Sequence, residues 1–146
     1  MYTIFVLGFG CLLAAGDPKQ DAPKAQDVNI KGIWRIERLE DNGEEQKNVQ
    51  ADLAIDGDKL GIRFLLAGLP RATVFTYVVD ASKKPNWIDL IYADGDQKGK
   101  SRQGIYQLDR DSLMLCLANL GGKRPAQFQS PQGSKQTLII LRRDKP

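Results

Sequence analysis

The sequence predicts an all-β protein, in which about eight antiparallel strands form an up-and-down meander that closes into one small barrel. From Ile30 onward the apolar residues recur with a period of two, and tight-turn signals separate the apolar runs at short intervals. No segment has a convincing amphipathic helix pattern. Eight strands can close on themselves, which removes the exposed edges. A two-sheet sandwich is the alternative architecture.

The first half of the domain contains four predicted strands. The Asp56-Gly57-Asp58 turn joins the second strand to the third as a hairpin. The fourth is rich in β-branched and aromatic residues. Between the first two strands, residues 44–52 could form one short helical turn. The four strands are residues 33–39, 53–55, 60–64 and 74–79.

The second half also contains four predicted strands, and polar or proline-containing turns separate them. Lys83-Lys84-Pro85-Asn86 ends the fourth strand, and Asp109-Arg110-Asp111-Ser112 turns the chain between the sixth and the seventh. A long loop over residues 119–136 precedes the last strand. The four strands are residues 87–92, 104–108, 113–117 and 137–141.

The last two strands are apolar on both faces. Residues 113–118 and 137–141 alternate without any polar side, and a strand of this kind is buried on both faces. Either the 119–136 loop folds back over the outer side, through Pro125 and Phe128, or a partner or second copy covers it. The first of these is favoured.

The N-terminus has the character of a secretory signal peptide. Residues 1–16 carry no charged side chain, contain a short apolar core and end in Ala14-Ala15-Gly16, small residues that suit signal peptidase. Residues 17–29 are polar and form a predicted disordered linker, which leaves residues 30–144 as the barrel domain. The chain is therefore predicted to be exported.

The two cysteines do not predict a disulfide within the barrel, because Cys11 lies outside the folded domain. Cys11 follows Gly10, which suits lipoprotein processing, but Gly8 stands where a leucine is expected, and a lipid anchor is therefore disfavoured. Cys116 is interpreted as a small packed apolar residue.

Composition excludes several classes of function. The chain contains no histidine, which removes Ser-His-Asp and Cys-His catalysis and the commonest zinc, copper and iron ligand sets. Its net charge is +3 and scattered, which argues against nucleic acid as a partner. No catalytic residues and no cofactor are therefore predicted.

Three pairs of aspartates invite a calcium interpretation, but none continues with further acidic ligands, and a calcium loop needs six or more oxygens. Hairpin turns explain them better, so no metal site is predicted. By parity, Asp89 points outward to solvent from the strand that contains it. The pairs are Asp56 with Asp58, Asp94 with Asp96, and Asp109 with Asp111.

A series of short motifs follows in order along residues 30–143. They are Gly32-Ile33-Trp34, Asp56-Gly57-Asp58-Lys59-Leu60, Pro85, Ile88-Asp89-Leu90, Lys98-Gly99-Lys100, Gly104-Ile105-Tyr106-Gln107-Leu108, Leu113 to Cys116, Arg124-Pro125, Phe128 and Leu138 to Arg142. As a series they resemble an uncharacterised lipocalin-like domain family that is expanded in planctomycete genomes. The resemblance implies a single lipocalin-like (calycin-type) barrel domain that is exported or faces the cell envelope, and it implies no activity. Arg110 departs from it, because the family tends to place glycine in that turn.

Gly32 and Trp34 also resemble the first-strand signature of lipocalins. In that fold the tryptophan packs beneath an arginine of the last strand, and the resemblance implies this structural role for Arg142, or alternatively Arg143, as a cation–π contact. Tyr77, Tyr92 and Tyr106 are candidates for the lumen, where they either contact a ligand or pack in the core.

Three functions remain open at this point. A binding barrel for a small apolar ligand or an envelope component predicts an open lumen with few bulky side chains. A structural or protein-interaction domain, including a homodimer, predicts a filled core and uses the outer face of residues 113–118 and 137–141. An enzyme based on carboxylates or tyrosines predicts a polar lumen cluster with perturbed titration, and is the least favoured.

Overall fold

The computed structural model describes residues 29–145, except for the side chain of Leu66. The predicted signal peptide and all but the last residue of the predicted linker lie outside the described residues. Within the described part, no helix is long and apolar enough to cross a membrane.

Nine antiparallel strands form one sheet, and pairing of the first strand with the last closes eight of them into a barrel. The closure confirms the predicted barrel and excludes the two-sheet sandwich. The strands are β1 (Gly32–Asp41), β2 (Glu44–Glu45), β3 (Ala51–Asp56), β4 (Lys59–Leu66), β5 (Leu69–Asp80), β6 (Asn86–Tyr92), β7 (Ser101–Asp109), β8 (Ser112–Leu117) and β9 (Thr137–Arg143).

β2, the strand that lies outside the closed barrel, stands at the start of the segment 44–52, where a helical turn was predicted. The N–H of Gln46 donates to the carbonyl of Leu39 on β1 at 2.8 Å, so it is not available for a helical bond. Asn48 then turns the chain with a φ of 60°, in the left-handed region that asparagine tolerates better than most residues. The expectation of a helical turn was therefore wrong.

β1 closes the barrel because it pairs with two strands at different points along its length. Its first residues, 32–35, pair with β3, whereas residues 34–41 pair with β9. The register with β9 shifts between Ile36 and Arg38, as expected for a β-bulge, which bends a strand and increases its twist. This bend separates the second half of β1 from β3.

The inner face of the barrel holds the main core. Every strand of the closed barrel contributes inward-pointing apolar side chains to it. These side chains fill the lower lumen, which is the end that contains Trp34, and the centre of the barrel. Burial of this size is the principal source of stability in a domain without disulfides. The buried members are Ile30, Trp34, Leu53, Ile55, Leu60, Phe75, Tyr77, Val79, Ile88, Leu90, Tyr106, Leu113, Leu115, Leu117, Ile139 and Leu141.

A second, smaller core lies outside the barrel, beneath the 119–136 loop. Ile105, Cys116 and Leu138 are buried there, and Met114 and Phe128 pack against them. The chain thus covers its own two-faced strands, as the favoured prediction held. The apolar face that suggested a homodimer is therefore already occupied.

Candidate functional site

The barrel is closed at one end and open at the other. The open end is where β1, β4, β6 and β8 finish, since neighbouring strands run antiparallel. A cavity of about 810 Å³, here called the mouth cavity, lies at this end. Its lining consists of apolar Leu39, Tyr92 and Leu120 together with polar Asp41, Asn42, Gln46, Arg102, Asn119, Lys135 and Thr137.

Arg102 is the main charged group at the floor of this cavity. It lies on the inner face of β7, on the same side as Gly104 and Tyr106, because side chains alternate along a strand. Its Nε donates to the carbonyl of Ala118 at 2.7 Å, and its Nη2 donates to Oγ1 of Thr137 at 3.0 Å. The guanidinium is thus held rigidly by a carbonyl and a hydroxyl rather than by a carboxylate.

The charge of Arg102 is incompletely balanced. Burial lowers the pKa of Arg102 below its ordinary value, and nearby Tyr92 and Asp41 offset this only in part. Asp41 is linked to it indirectly, since the Thr137 hydroxyl donates to Asp41 Oδ1 at 2.8 Å. With Lys135 also at the rim, the mouth cavity presents two cations against one carboxylate, which favours an anionic guest.

One aromatic side chain, Tyr92, lines the cavity close to Arg102, and Phe75 packs against it from the core. The rings of Phe75 and Tyr92 lie 4.5 Å apart, tilted by 57°, a favourable arrangement for an aromatic pair. Phe75 is buried in the main core and Tyr92 is half-buried against it. The cavity therefore offers an apolar contact next to its half-buried cation.

A second cavity, here called the side groove, lies where β1 has separated from β3. Its volume is about 710 Å³. Two exposed ion pairs stand beside it, Arg63 with Asp52 at 2.8 Å and Arg35 with Asp144 at 3.2 Å. Its apolar lining is Ile33, Ile36, Val49, Ala51, Phe64, Leu65, Pro70 and Ala72.

The closed end is built around Trp34. Arg143 lies over the Trp34 ring with its guanidinium carbon 4.2 Å from the ring centroid, and it donates to the carbonyls of Lys31 and Asn29. The assignment of this role to Arg142 was wrong, because Arg142 points to the outer face and pairs with Glu37 at 2.6 Å. Strand parity explains the difference, since Trp34 is paired in register with Arg143.

Gly32 fits this closed end for two reasons. Its φ is 128°, which side chains rarely adopt, and a Cβ would lie 3.0 Å from Nη1 of Arg143. The indole Nε1 of Trp34 donates to the carbonyl of Ile30 at 2.9 Å, which holds the incoming chain beneath the barrel.

The three candidate tyrosines all face the interior, but they do not form one site. Tyr92 lines the mouth cavity. Tyr77 donates to the carbonyl of Gly57 at 2.8 Å, in the turn between β3 and β4 at the closed end. The Tyr106 hydroxyl is buried and has no hydrogen-bond partner among residues 29–145. Two of the three therefore belong to the packed core.

Burial also raises the pKa of the two core phenols. For Tyr77, burial is the largest cause, followed by the negative charges of Asp58 and Asp56. For Tyr106, burial is again the largest cause, followed by Asp80. Both groups are neutral phenols over the physiological pH range.

The aspartate pairs stand in turns or at the strand ends beside them, in keeping with the predicted turns. Asp56, Asp58 and Asp109 are exposed, and Asp111 pairs with Lys145 at 2.8 Å. In the described part of the chain, no group of three potential ligands is close enough to hold a metal ion.

On the outer face, Arg124 holds the 119–136 loop to the barrel. Its Nη2 lies 2.7 Å from Asp89 Oδ1, without the angle of a good hydrogen bond, and its Nη1 donates to the carbonyl of Gly104 at 2.7 Å. Its guanidinium carbon lies 4.2 Å from the centroid of the Trp87 ring. Asp89 does point outward, as parity predicted, but it meets Arg124 rather than open solvent.

Comparison with known proteins carries no argument about this chain. No protein family and no curated protein matches this chain. Among solved structures, a variant of the fluorescent protein UnaG is similar over 80% of this chain and 97% of its own, at 13% identity and a TM-score of 0.42. A likeness at this level carries no argument about ligands, so function has to be inferred from the residues of this chain.

Proposed function

We propose that this protein is an exported barrel that binds a small amphiphilic anion in its mouth cavity. The observation that supports this most directly is Arg102, a half-buried cation that two hydrogen bonds hold in place beside the ring of Tyr92. The volume of the cavity lies in the range of small-molecule sites. Since the lumen below is filled, the ligand lies at the mouth rather than deep in the barrel.

The chemistry of the lining defines the ligand class. A carboxylate or similar anion accepts hydrogen bonds from Arg102 and approaches Lys135, and an apolar body rests on Tyr92 and Leu39.

Export depends on the uncharged apolar residues 1–16, and N-terminal sequencing of the cell-envelope form should find Asp17 as its first residue.

The first test is native mass spectrometry of the protein purified without denaturation. Extra mass that is lost on denaturation would reveal a bound ligand and its class. Calorimetric titration with octanoate and octan-1-ol then tests the role of charge, because the two probes share one chain length. We expect octanoate to bind on the order of tenfold more tightly, as a charge-assisted hydrogen bond implies.

Variants at the rim separate binding from folding. Leu120→Glu places a carboxylate beside the cavity and should weaken octanoate binding severalfold, whereas Leu120→Gln, its matched neutral control, should not. Equal binding of octanoate and octan-1-ol in the unaltered protein would contradict the assigned role of Arg102.

A structural or protein-interaction domain is the second candidate, and the filled lower lumen favours it. It predicts a bare monomer in native mass spectrometry and no measurable binding of either probe.

A further inference from the structure

The hairpin between β4 and β5 projects beyond the barrel wall. β4 and β5 remain paired as far as Leu66 and Leu69, whereas β3 pairs with β4 only as far as Phe64. On the other side, β6 pairs with β5 only from Phe75 onward. Apart from one hydrogen bond, which the N–H of Leu65 donates to the carbonyl of Gln50 at 3.2 Å, the end of this hairpin therefore stands clear of its neighbours as a two-stranded ribbon.

The end of this ribbon, residues 65–70 and here called the hairpin tip, is apolar on both of its faces. Leu65 and Pro70 are paired and lie on one face, and Leu69 lies on the other. Leu65 is 49% exposed and Leu69 is 59% exposed. Exposed leucines on both faces are unusual for a turn, since turns are normally polar. A binding partner that buries these leucines therefore has to contact both faces of the tip.

The free edge of β5 argues against another protein strand as that cover. Pro70 has no N–H to donate to a strand ladder, and Arg71 next to it is exposed, and both features protect edges from strand addition. A flat protein surface would bury only one face of the tip. A bilayer interface surrounds both faces and also accepts a flanking arginine.

Charge favours an anionic bilayer. Arg63 and Arg35 near the base of the ribbon are each paired with an aspartate. Arg71 forms no ion pair within the described residues, so its charge is available to lipid phosphate.

We propose that the hairpin tip inserts into the interface of a phospholipid bilayer that contains anionic lipid. The tip lies at the same end of the barrel as the mouth cavity, because β4 and β6 both finish there. Docking therefore places the mouth against the membrane surface. The inference does not depend on any ligand in the mouth cavity.

The test uses the full chain with an environment-sensitive NBD label on a single introduced cysteine. Cys11→Ser removes the one other thiol of the sequence, and Cys116 is buried. Leu69→Cys reports on the hairpin tip, and Asp58→Cys, in the exposed turn at the closed end, is the matched control. With phosphatidylglycerol vesicles, we expect a blue shift and brighter emission at position 69 and no change at position 58.

Unlabelled variants measure the energetics of the same contact. Leu65→Ser with Leu69→Ser should reduce the vesicle-bound fraction by at least about tenfold, with an unchanged circular dichroism spectrum. Arg71→Gln should weaken binding to anionic vesicles about fivefold and leave binding to phosphatidylcholine vesicles unaltered. No spectral change at position 69, or the same change at positions 69 and 58, would overturn the proposal.

Discussion

At the scale of single residues, hydrogen bonding separates side chains that look alike in the sequence. Tyr77 and Tyr106 are both buried inward-facing tyrosines, yet Tyr77 donates to a carbonyl, whereas the Tyr106 hydroxyl has no partner in the part of the chain that the structure describes. Arg142 and Arg143 are adjacent, yet one is exposed and the other covers the closed end. Residue type fixes what a side chain can do, and its contacts fix what it does.

Replacement of each tyrosine by phenylalanine should reveal this difference. Tyr77→Phe should lower the free energy of unfolding by about 1 kcal/mol, because it removes a hydrogen bond to the Gly57 carbonyl. Tyr106→Phe removes a buried hydroxyl without a partner, and should leave stability unchanged or raise it. Urea unfolding measures both. A larger loss for Tyr106→Phe would contradict the assigned contacts.

The same two phenols should make the fold sensitive to alkali. Their pKa values are raised in the folded state above the ordinary 10.0, so their contribution to stability is complete below pH 10. It is lost as pH rises from 10 through the folded-state pKa values, because the unfolded chain releases these protons first. Tyr77→Phe combined with Tyr106→Phe should therefore flatten the decline in melting temperature between pH 9 and 11. An equally steep decline in the double variant would count against this account.

At the scale of elements, the 119–136 loop acts as a cover for the outer face of β8 and β9. It seals a small core around Cys116, whose Sγ lies 3.3 Å from the carbonyl of Gln129. Burial raises the pKa of the Cys116 thiol above its ordinary value, and the thiol donates to the Gln129 carbonyl. The thiol is therefore both covered and protonated.

Arg124→Gln should loosen this cover. It removes contacts with Asp89, the Gly104 carbonyl and the Trp87 ring, and leaves Asp89 without its partner. We expect Cys116 to react at least about tenfold faster with a thiol reagent such as DTNB, as local opening becomes easier. Lys123→Gln, at an exposed neighbouring position, is the control and should react like the original protein. Equal rates for the two variants would show that Arg124 does not hold the loop.

At the scale of the whole molecule, the pairing of β1 with β9 turns a curved sheet into a closed barrel. Arg143 ties the two strands to the incoming chain through Trp34, Lys31 and Asn29. The bend in β1 has the opposite effect on its other side, where separation from β3 leaves the side groove. β1 therefore closes the barrel through its pairing with β9, and it leaves the side groove where it separates from β3.

Adjacent arginines provide a test of this closure. Arg143→Gln should lower the free energy of unfolding by about 2 kcal/mol, because it removes a cation–π contact and two hydrogen bonds. Arg142→Gln removes one exposed ion pair and should cost less than about 0.5 kcal/mol. Chemical unfolding of the two variants under the same conditions measures the difference. Similar losses would show that the closed end does not depend on Arg143.

Part of the mouth cavity could be predicted from the sequence. Arg102 lies two residues before Gly104 and four before Tyr106, on the face that parity had already directed inward. An arginine on this face is a signal that can be detected in the sequence. The contacts that make it a site, with Ala118 and Thr137, come from distant strands and could not be predicted from spacing.

The sequence by itself determined the class of fold, since period-two alternation, turn residues and the lack of helical patterns are local properties of the chain. It also determined that the 113–118 and 137–141 strands needed a cover. Only the tertiary structure decided that Arg143 rather than Arg142 meets Trp34, that the lower lumen is filled, and that the mouth remains open. These outcomes depend on register and on how side chains from eight strands share one interior, which short-range sequence patterns do not encode.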